Sequence, residues 1–205
     1  GDMLEAALTA GLCSMGAKVI PLGVVPTPAV AYLTRYYKAD AGVVISASHN
    51  PCEYNGIKFF NSDGYKLSDG IENEIESYIL GEKAIEELPT HGKVGYVSAN
   101  HNAVEDYVAF AVSTIDCRLD GMKIAVDCAN GASYETAFKA LNKLGANVEA
   151  IHNTPDGVNI NHMCGSTHME SLQAYVTSIG ADIGIAFDGD ADRMLAVDEN
   201  GKLID

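Results

Sequence analysis

The chain has 205 residues, of which 47% are hydrophobic, so it can bury the core of one large domain or two small ones. Its 28 acidic residues outnumber 13 Lys and Arg residues and give a formal net charge of −15. This charge argues against nucleic acid, whose phosphates require a basic surface, and no apolar run is long enough to cross a membrane. No signal-peptide pattern is present.

The amino-terminal segment alternates helical and extended patterns. Apolar residues recur at helical spacing from Asp2 to Met15, and a short strand is expected near Lys18–Pro21. The next helix is predicted to follow Thr27 as its N-cap, with Pro28 in the first helical position. Because the helical pattern is already established at Asp2, we expect the sequence to be a fragment of a longer protein.

A turn rich in polar side chains follows a predicted buried strand, the apolar run Ala41–Ile45. The turn, Ser46–Pro51, places a serine, a histidine and an amide side chain at the end of that strand. Ligands of α/β proteins bind at the carboxyl ends of strands, where the Ser48 hydroxyl would be useful as a nucleophile. The alternative is a polar turn whose side chains only satisfy their own backbone.

A hairpin and an acidic helix are predicted next. The runs Ile57–Asn61 and Tyr65–Leu67 have the composition of short strands, and Asp63-Gly64 between them is a strong hairpin signal. Ser68 is expected to cap a helix whose first turns are rich in glutamate, which the helix dipole favours.

Residues 81–102 contain charged residues, glycine and proline without a clear period, and we interpret them as a linker. Helical and extended patterns alternate again after it. Strands are predicted at 123–127, 147–151, 183–187 and 194–197, and helices at 103–115, 132–144 and 170–179. This alternation predicts an α/β fold with two consecutive α/β domains, residues 1–100 and 101–205, each a mixed sheet covered by helices.

Three aspartates at alternate positions directly follow a predicted strand of the second half. Asp188, Asp190 and Asp192 can converge in a loop, and their oxygen atoms suit Mg²⁺ or Ca²⁺. The spacing also fits an EF-hand ending at Glu199, but Arg193 stands where an EF-hand requires glycine, and strands flank the loop. An acidic surface turn without metal is the other alternative. We favour a catalytic Mg²⁺ site, with Arg193 beside it as an anchor for phosphate.

The chain contains five cysteines, an odd number, at wide spacing and without a CxxC pair. They are expected to be reduced thiols of a cytoplasmic protein and not a disulfide framework or a zinc site. Cys52 lies close to the serine turn, but no partner arrangement accompanies it, so we assign it no role. The five are Cys13, Cys52, Cys117, Cys128 and Cys164.

The serine turn and the acidic loop together are similar to the motifs of one known family. Ala47–Pro51, followed by Asn55–Phe60, resembles the phosphoserine loop of the α-D-phosphohexomutases, and Asp188–Arg193 resembles their metal loop. Ala191 departs from the pattern, because the family commonly has glycine there, and a methyl group is tolerated unless the backbone needs a positive φ. The segments that look most like the bacterial phosphoglucosamine mutases of this family are Asp127–Ala132 and Asn159–His168.

The resemblance implies an enzyme that interconverts glucosamine 6-phosphate and glucosamine 1-phosphate, which feeds cell-wall amino sugars. Ser48 would carry a phosphate, transfer it to a sugar monophosphate and take one back from the glucosamine 1,6-bisphosphate intermediate. His49 and Lys58 are implied as further catalytic residues, and Arg193 as a phosphate-binding residue. The implied Mg²⁺ ligands are a phosphate oxygen on Ser48 and the carboxylates of Asp188, Asp190 and Asp192.

Charge connects the two motifs independently of the resemblance. A phosphoserine carries roughly −1.5 to −2 charges at neutral pH. Two unit charges about 4 Å apart repel by about 4 kcal/mol at an effective dielectric constant of about 20. A phosphate among three carboxylates would therefore require a divalent cation.

Two alternatives stay open. A phosphomannomutase or phosphoglucomutase would apply the same chemistry to another sugar, and a non-catalytic metal-binding α/β domain would use the Ser48 turn only structurally. The resemblance implies a phosphosugar substrate and further domains of the same enzyme that recognise the sugar. The fragment alone is therefore expected to be inactive. Neither nucleic acid nor a membrane is an expected partner, and a homo-oligomer is left open.

Overall fold

The computed structural model describes residues 1–85, 87–99 and 102–204, and it confirms the predicted α/β class. The helices are α1 (Asp2–Ser14), α2 (Thr27–Tyr36), α3 (Asp69–Ile79), α4 (Ala103–Ser113), α5 (Thr136–Lys143) and α6 (Glu170–Ile179). The strands are β1 (Lys18–Val19), β2 (Ala41–Ile45), β3 (Ile57–Asn61), β4 (Tyr96–Val97), β5 (Lys123–Asp127), β6 (Asn147–Ile151), β7 (Ile183–Phe187), β8 (Met194–Asp198) and β9 (Leu203–Ile204). Within these ranges, no helix has both the length and the apolar character needed to cross a membrane.

The second half of the chain is built on one five-stranded mixed sheet in the order β6-β5-β7-β8-β9. β5 pairs in parallel with β6 and β7, whereas β8 is antiparallel to both β7 and β9. The central strand β5 is buried on both faces. Ile124 and Val126 pack with residues of α5, while Ala125 packs against Leu172 and Val176 of α6. The helices therefore cover both faces of the sheet, and the carboxyl ends of the parallel strands β5 and β7 lie at the same edge.

The first half contains two separate two-stranded sheets. β2 pairs with β3 in antiparallel fashion, and β1 pairs in parallel with β4. The predicted hairpin turn at Asp63-Gly64 forms, but the strand expected at Tyr65–Leu67 is reduced to a single bridge between Phe60 and Lys66. β4 lies inside the segment that was interpreted as a linker. The strand was not predicted, because two residues are too few to give a periodic signal.

Helix α4 contacts elements of both halves. Ala103 belongs to the apolar cluster that also contains Leu33 of α2 and Val44 of β2. The rings of Phe110 and Tyr32 stack with their centroids 3.8 Å apart. On its other side, Glu105 accepts hydrogen bonds from two lysines of α5. The predicted domain boundary falls at residues 100 and 101, outside the described residues, and stays a prediction.

Of three predicted helix starts, the one at Ser68 is confirmed and the other two differ from the structure. Thr27 is the first residue of α2 and Pro26 occupies the N-cap position, so the proposed cap by the Thr27 hydroxyl is wrong. Ser68 is the N-cap of α3, but its hydroxyl makes no capping hydrogen bond. The helix expected from Ala132 begins only at Thr136, and the Ala132 N–H donates to the carbonyl oxygen of Gly189.

Candidate functional site

The serine turn lies where the two halves of the chain meet. It follows β2, and Ser48 adopts a left-handed backbone with φ of 55°. The Ser48 N–H donates to the Ser46 hydroxyl at 2.9 Å, which fixes the turn locally. The Ser48 hydroxyl donates to Oδ2 of Asp188 at 3.0 Å, across a separation of 140 residues. The predicted nucleophile therefore faces the predicted acidic loop.

The acidic loop follows β7 and brings its three carboxylates together. Asp188 and Asp190 are buried, with exposures of 1% and 3%, whereas the Asp192 side chain is 36% exposed. One carboxylate oxygen from each residue lies within 4.8 Å of the others. Three converging carboxylates, two of them buried and one partly exposed, provide the oxygen ligands that a hard divalent cation prefers.

Asp190 has one occupied and one free carboxylate oxygen. Its Oδ2 accepts hydrogen bonds from Lys58 Nζ at 2.6 Å and from the Thr27 hydroxyl at 2.8 Å. Its Oδ1 is buried and has no partner among the described residues. Burial would raise the pKa of Asp190, but the hydrogen bonds from Lys58 and Thr27 outweigh burial and lower it. An ionised carboxylate with an unpaired buried oxygen fits a cation ligand.

Arg193 connects the carboxylates to the serine turn. Its Nη2 donates to Oδ2 of Asp188 at 2.8 Å and to the Ser48 hydroxyl at 3.1 Å. The same nitrogen lies 2.5 Å from Nδ1 of His49. The hydrogen bond to Asp188 raises the pKa of Arg193 further, so the guanidinium stays charged. A fixed cation beside Ser48 is suited to bind a phosphate carried there.

The charges of the site are not balanced within the described residues. Three carboxylates face two cations, with Lys58 3.7 Å from Asp192 and Arg193 3.6 Å from it. Partial burial and the charges of Asp190 and Asp188 raise the pKa of Asp192. A phosphate on Ser48 would add further negative charge, so this arrangement would need additional positive charge to hold it.

The structure places all the predicted site residues in one cluster and adds two, Thr27 and Asn161, that were not predicted as site residues. Thr27 reaches Asp190 through both its hydroxyl and its N–H. Asn161 donates to the carbonyl oxygens of Ser48 and Asn50. The sequence did mark Thr27 as a polar residue at the start of a helix, but its hydroxyl was predicted to cap that helix.

Ala191, which stands where the family commonly has glycine, has a φ of 53°. The alanine therefore occupies a left-handed position that favours glycine.

A second cluster, Asp127, His152 and Cys164, lies at the carboxyl ends of β5 and β6 and has its ligand atoms within 4.8 Å of one another. The buried Asp127 carboxylate accepts the N–H groups of Ala129 and Gly165 at 2.9 Å each and lies 3.0 Å from His152 Nδ1. Burial raises the pKa of the Cys164 thiol to about 11. A carboxylate with this many partners is satisfied by the protein itself, so the cluster fastens loops together.

The backbone of Gly189, in the acidic loop, packs closely against the Ser48 turn and Asn161. A Cβ atom there would lie 2.6 Å from the Ser48 carbonyl oxygen and 2.6 Å from Asn161 Nδ2. Gly189→Ala is therefore expected to lower the free energy of unfolding by about 1–3 kcal/mol, measured by urea denaturation. Gly11→Ala is the matched control, because a Cβ at this helical position meets nothing within 4 Å. The control should raise stability by roughly 0.5–1 kcal/mol, and equal behaviour of the two variants would contradict the contact.

Two models of one protein family match the chain. The family model described as phosphoglucomutase/phosphomannomutase, alpha/beta/alpha domain I, matches residues 1–86, and the model for domain II matches residues 103–201. A curated phosphoglucosamine mutase of Acetivibrio thermocellus is 63% identical over 205 residues, which are 100% of this chain and 46% of that protein. The corresponding mutase of Clostridium acetobutylicum is 62% identical with the same coverage.

The solved structures include a phosphoglucomutase/phosphomannomutase family protein from Burkholderia thailandensis, which is 28% identical and superposes with a TM-score of 0.82. That alignment covers 100% of this chain and 45% of the other. The chain thus spans about half the length of the curated relatives it matches.

Proposed function

This chain belongs to the phosphoglucomutase/phosphomannomutase family, and we propose that it carries the phosphate-transferring site of a phosphoglucosamine mutase. The observation that supports the proposal is the position of the Ser48 hydroxyl, 3.0 Å from Asp188 and 3.1 Å from Arg193. A hydroxyl held between a cation and a carboxylate cluster suits a residue that gains and loses a phosphate. The reaction would interconvert glucosamine 6-phosphate and glucosamine 1-phosphate.

In the proposed reaction, Ser48 begins as a phosphoserine. A free hydroxyl of the sugar monophosphate attacks the phosphorus, the bond between phosphorus and the Ser48 oxygen breaks, and glucosamine 1,6-bisphosphate forms. The attacking hydroxyl loses its proton, and the Ser48 oxygen gains one as it leaves. The bisphosphate then reorients in the site, and its other phosphate is transferred to Ser48 by the reverse of the first step. The sum is an isomerisation without net gain or loss of phosphate.

The charged side chains around Ser48 support distinct roles. Lys58 forms a 2.6 Å ion pair with Asp190, and its ammonium group can donate to an oxygen of the transferred phosphoryl group. Arg193 can orient the phosphate, because its guanidinium contacts both Ser48 and Asp188. His49 lies against Arg193 and can help to hold that guanidinium in place.

Asp188, Asp190 and Asp192 would hold Mg²⁺ together with a phosphate oxygen on Ser48. The unpaired buried Oδ1 of Asp190 supports this assignment. When bound, Mg²⁺ supplies positive charge that offsets repulsion between the phosphate and the carboxylates. Thr27 and Lys58 both donate to Oδ2 of Asp190, so Oδ1 would be left free to bind the ion.

The amino sugar is proposed as substrate because relatives at 62–63% identity over the whole chain are named phosphoglucosamine mutases. We also propose that the protein works in the cytoplasm, in keeping with its five free cysteines. The chain spans 46% of those relatives, and we expect sugar recognition to need residues outside it.

Phosphate mapping tests the proposal. The full-length protein is incubated with glucosamine 1,6-bisphosphate and Mg²⁺, and peptide mass spectrometry should locate one phosphate on Ser48. Rates with glucosamine 6-phosphate should then exceed rates with mannose 6-phosphate and glucose 6-phosphate, while the 205-residue chain alone should be nearly inactive. A protein that takes no phosphate on Ser48 would contradict the proposed chemistry. A preference for mannose or glucose phosphate would retain the chemistry and reject the amino sugar.

A further inference from the structure

Asn161 links the second half of the chain to the serine turn of the first half. Its side-chain amide donates to the carbonyl oxygen of Ser48 at 2.9 Å and to that of Asn50 at 3.0 Å. Both acceptors are main-chain atoms of the same turn, so a single amide fixes the position of that turn. We propose that Asn161 is a positioning residue for phosphoryl transfer, which holds the Ser48 turn against the acidic loop. This inference rests on the proposed function of Ser48.

The backbone around Asn161 is itself held firmly. Its N–H donates to the Ala129 carbonyl oxygen at 2.9 Å, just beyond β5. Its φ of 57° lies in the left-handed region, which asparagine tolerates better than most residues. Further along the segment, the Gly165 N–H is bound by the buried Asp127 carboxylate. The amide of Asn161 is therefore presented from a segment anchored to the central sheet, and it can act as a fixed reference point.

The amide also packs directly against the acidic loop. Gly189 is the residue between Asp188 and Asp190, and a Cβ atom on it would lie 2.6 Å from both Asn161 Nδ2 and the Ser48 carbonyl oxygen. The Gly189 carbonyl oxygen in turn accepts the N–H of Ala132 at 2.8 Å. Asn161, the serine turn and the aspartate loop thus share one close contact, in which the amide sets the spacing between the other two.

The consequence for catalysis follows from the atoms that Asn161 touches. Its amide hydrogen bonds reach main-chain carbonyl oxygens of the turn and not the Ser48 hydroxyl or the carboxylates. Loss of the amide should shift the serine oxygen relative to Asp188 and Arg193. A misplacement of about 1 Å in a reacting group can cost about 100-fold in rate. The loss should therefore appear in kcat, with little change in KM for the sugar phosphate.

The test compares Asn161→Gly with Met163→Gly in the full-length protein. Asn161→Gly removes the amide but accepts the left-handed backbone without strain. Met163 also has a positive φ, of 51°, and the residue is 65% exposed. Met163→Gly therefore adds the same backbone freedom to the same segment and leaves the amide in place. Asn161→Asp is the third variant, because it keeps the shape and sets a carboxylate against two carbonyl oxygens.

The exchange rate of the Ser48 turn and kcat are expected to change together. Hydrogen–deuterium exchange of the peptide covering the Ser48 turn should quicken in Asn161→Gly and Asn161→Asp, and kcat should fall roughly 10–100-fold with KM within about twofold. Met163→Gly should match the wild-type protein in both. Wild-type exchange and wild-type kcat in an active Asn161→Gly protein would overturn this inference alone. A wild-type protein that places no phosphate on Ser48 would instead overturn the proposed function.

Discussion

Ser48→Ala is expected to abolish the phosphate adduct and to lower kcat by at least about 10⁴-fold, because it removes the hydroxyl that would carry the phosphate. Alanine removes only the hydroxyl that donates to Asp188 and accepts from Arg193. The turn itself should persist, since the hydrogen bond from the residue 48 N–H to Ser46 does not involve that hydroxyl. The measurements are intact mass after incubation with glucosamine 1,6-bisphosphate and the steady-state mutase rate.

Ser62→Ala is a suitable control for this substitution, because Ser62 is an exposed serine in the turn that follows β3. It should keep both the phosphate adduct and the wild-type rate. A phosphate that persists on the Ser48→Ala protein, together with normal turnover, would show that the carrier is another residue. The Ser48 turn would then have only a structural role.

The strands that position the site were predictable because their patterns are local. β5, β6 and β7 occur at the predicted residues, since each is a short run rich in apolar residues followed by turn signals. The rule that ligands bind at the carboxyl ends of strands then identified the two loops that follow β2 and β7. Local sequence was therefore enough to select Ser48 and the aspartates as candidates, and the structure places them side by side.

The supporting residues could not be predicted in the same way. Thr27 and Asp190 are separated by 163 residues, and Asn161 and Ser48 by 113, so no local period connects them. Both side chains also had acceptable local explanations, as a helix cap and as a polar loop residue. Their contacts depend on how the two halves pack, and a short pattern of residue types carries no information on that packing. The same limit applies to β4, whose partner strand is distant in sequence.

Asp190→Asn is expected to weaken Mg²⁺ binding roughly 100-fold and to lower mutase activity by a similar factor at limiting Mg²⁺. The substitution keeps the size of the side chain and removes its negative charge. The introduced amide would also have to place its NH₂ group either toward the ion or toward Lys58 and Thr27, both of which donate hydrogen bonds to Asp190. Either orientation therefore loses a favourable contact.

Thermal unfolding gives a readout of this prediction that does not depend on catalysis. A ligand that binds only the folded state raises its stability by RT ln(1 + [L]/Kd), so Mg²⁺ should raise the Tm of the wild-type protein clearly and that of Asp190→Asn much less. Glu199→Gln is the control, because Glu199 is exposed and would be a ligand only in the EF-hand interpretation. Equal Mg²⁺ stabilisation of Asp190→Asn and wild type would remove Asp190 from the ion's ligands, whereas a loss in both Asp190→Asn and Glu199→Gln would favour an EF-hand loop.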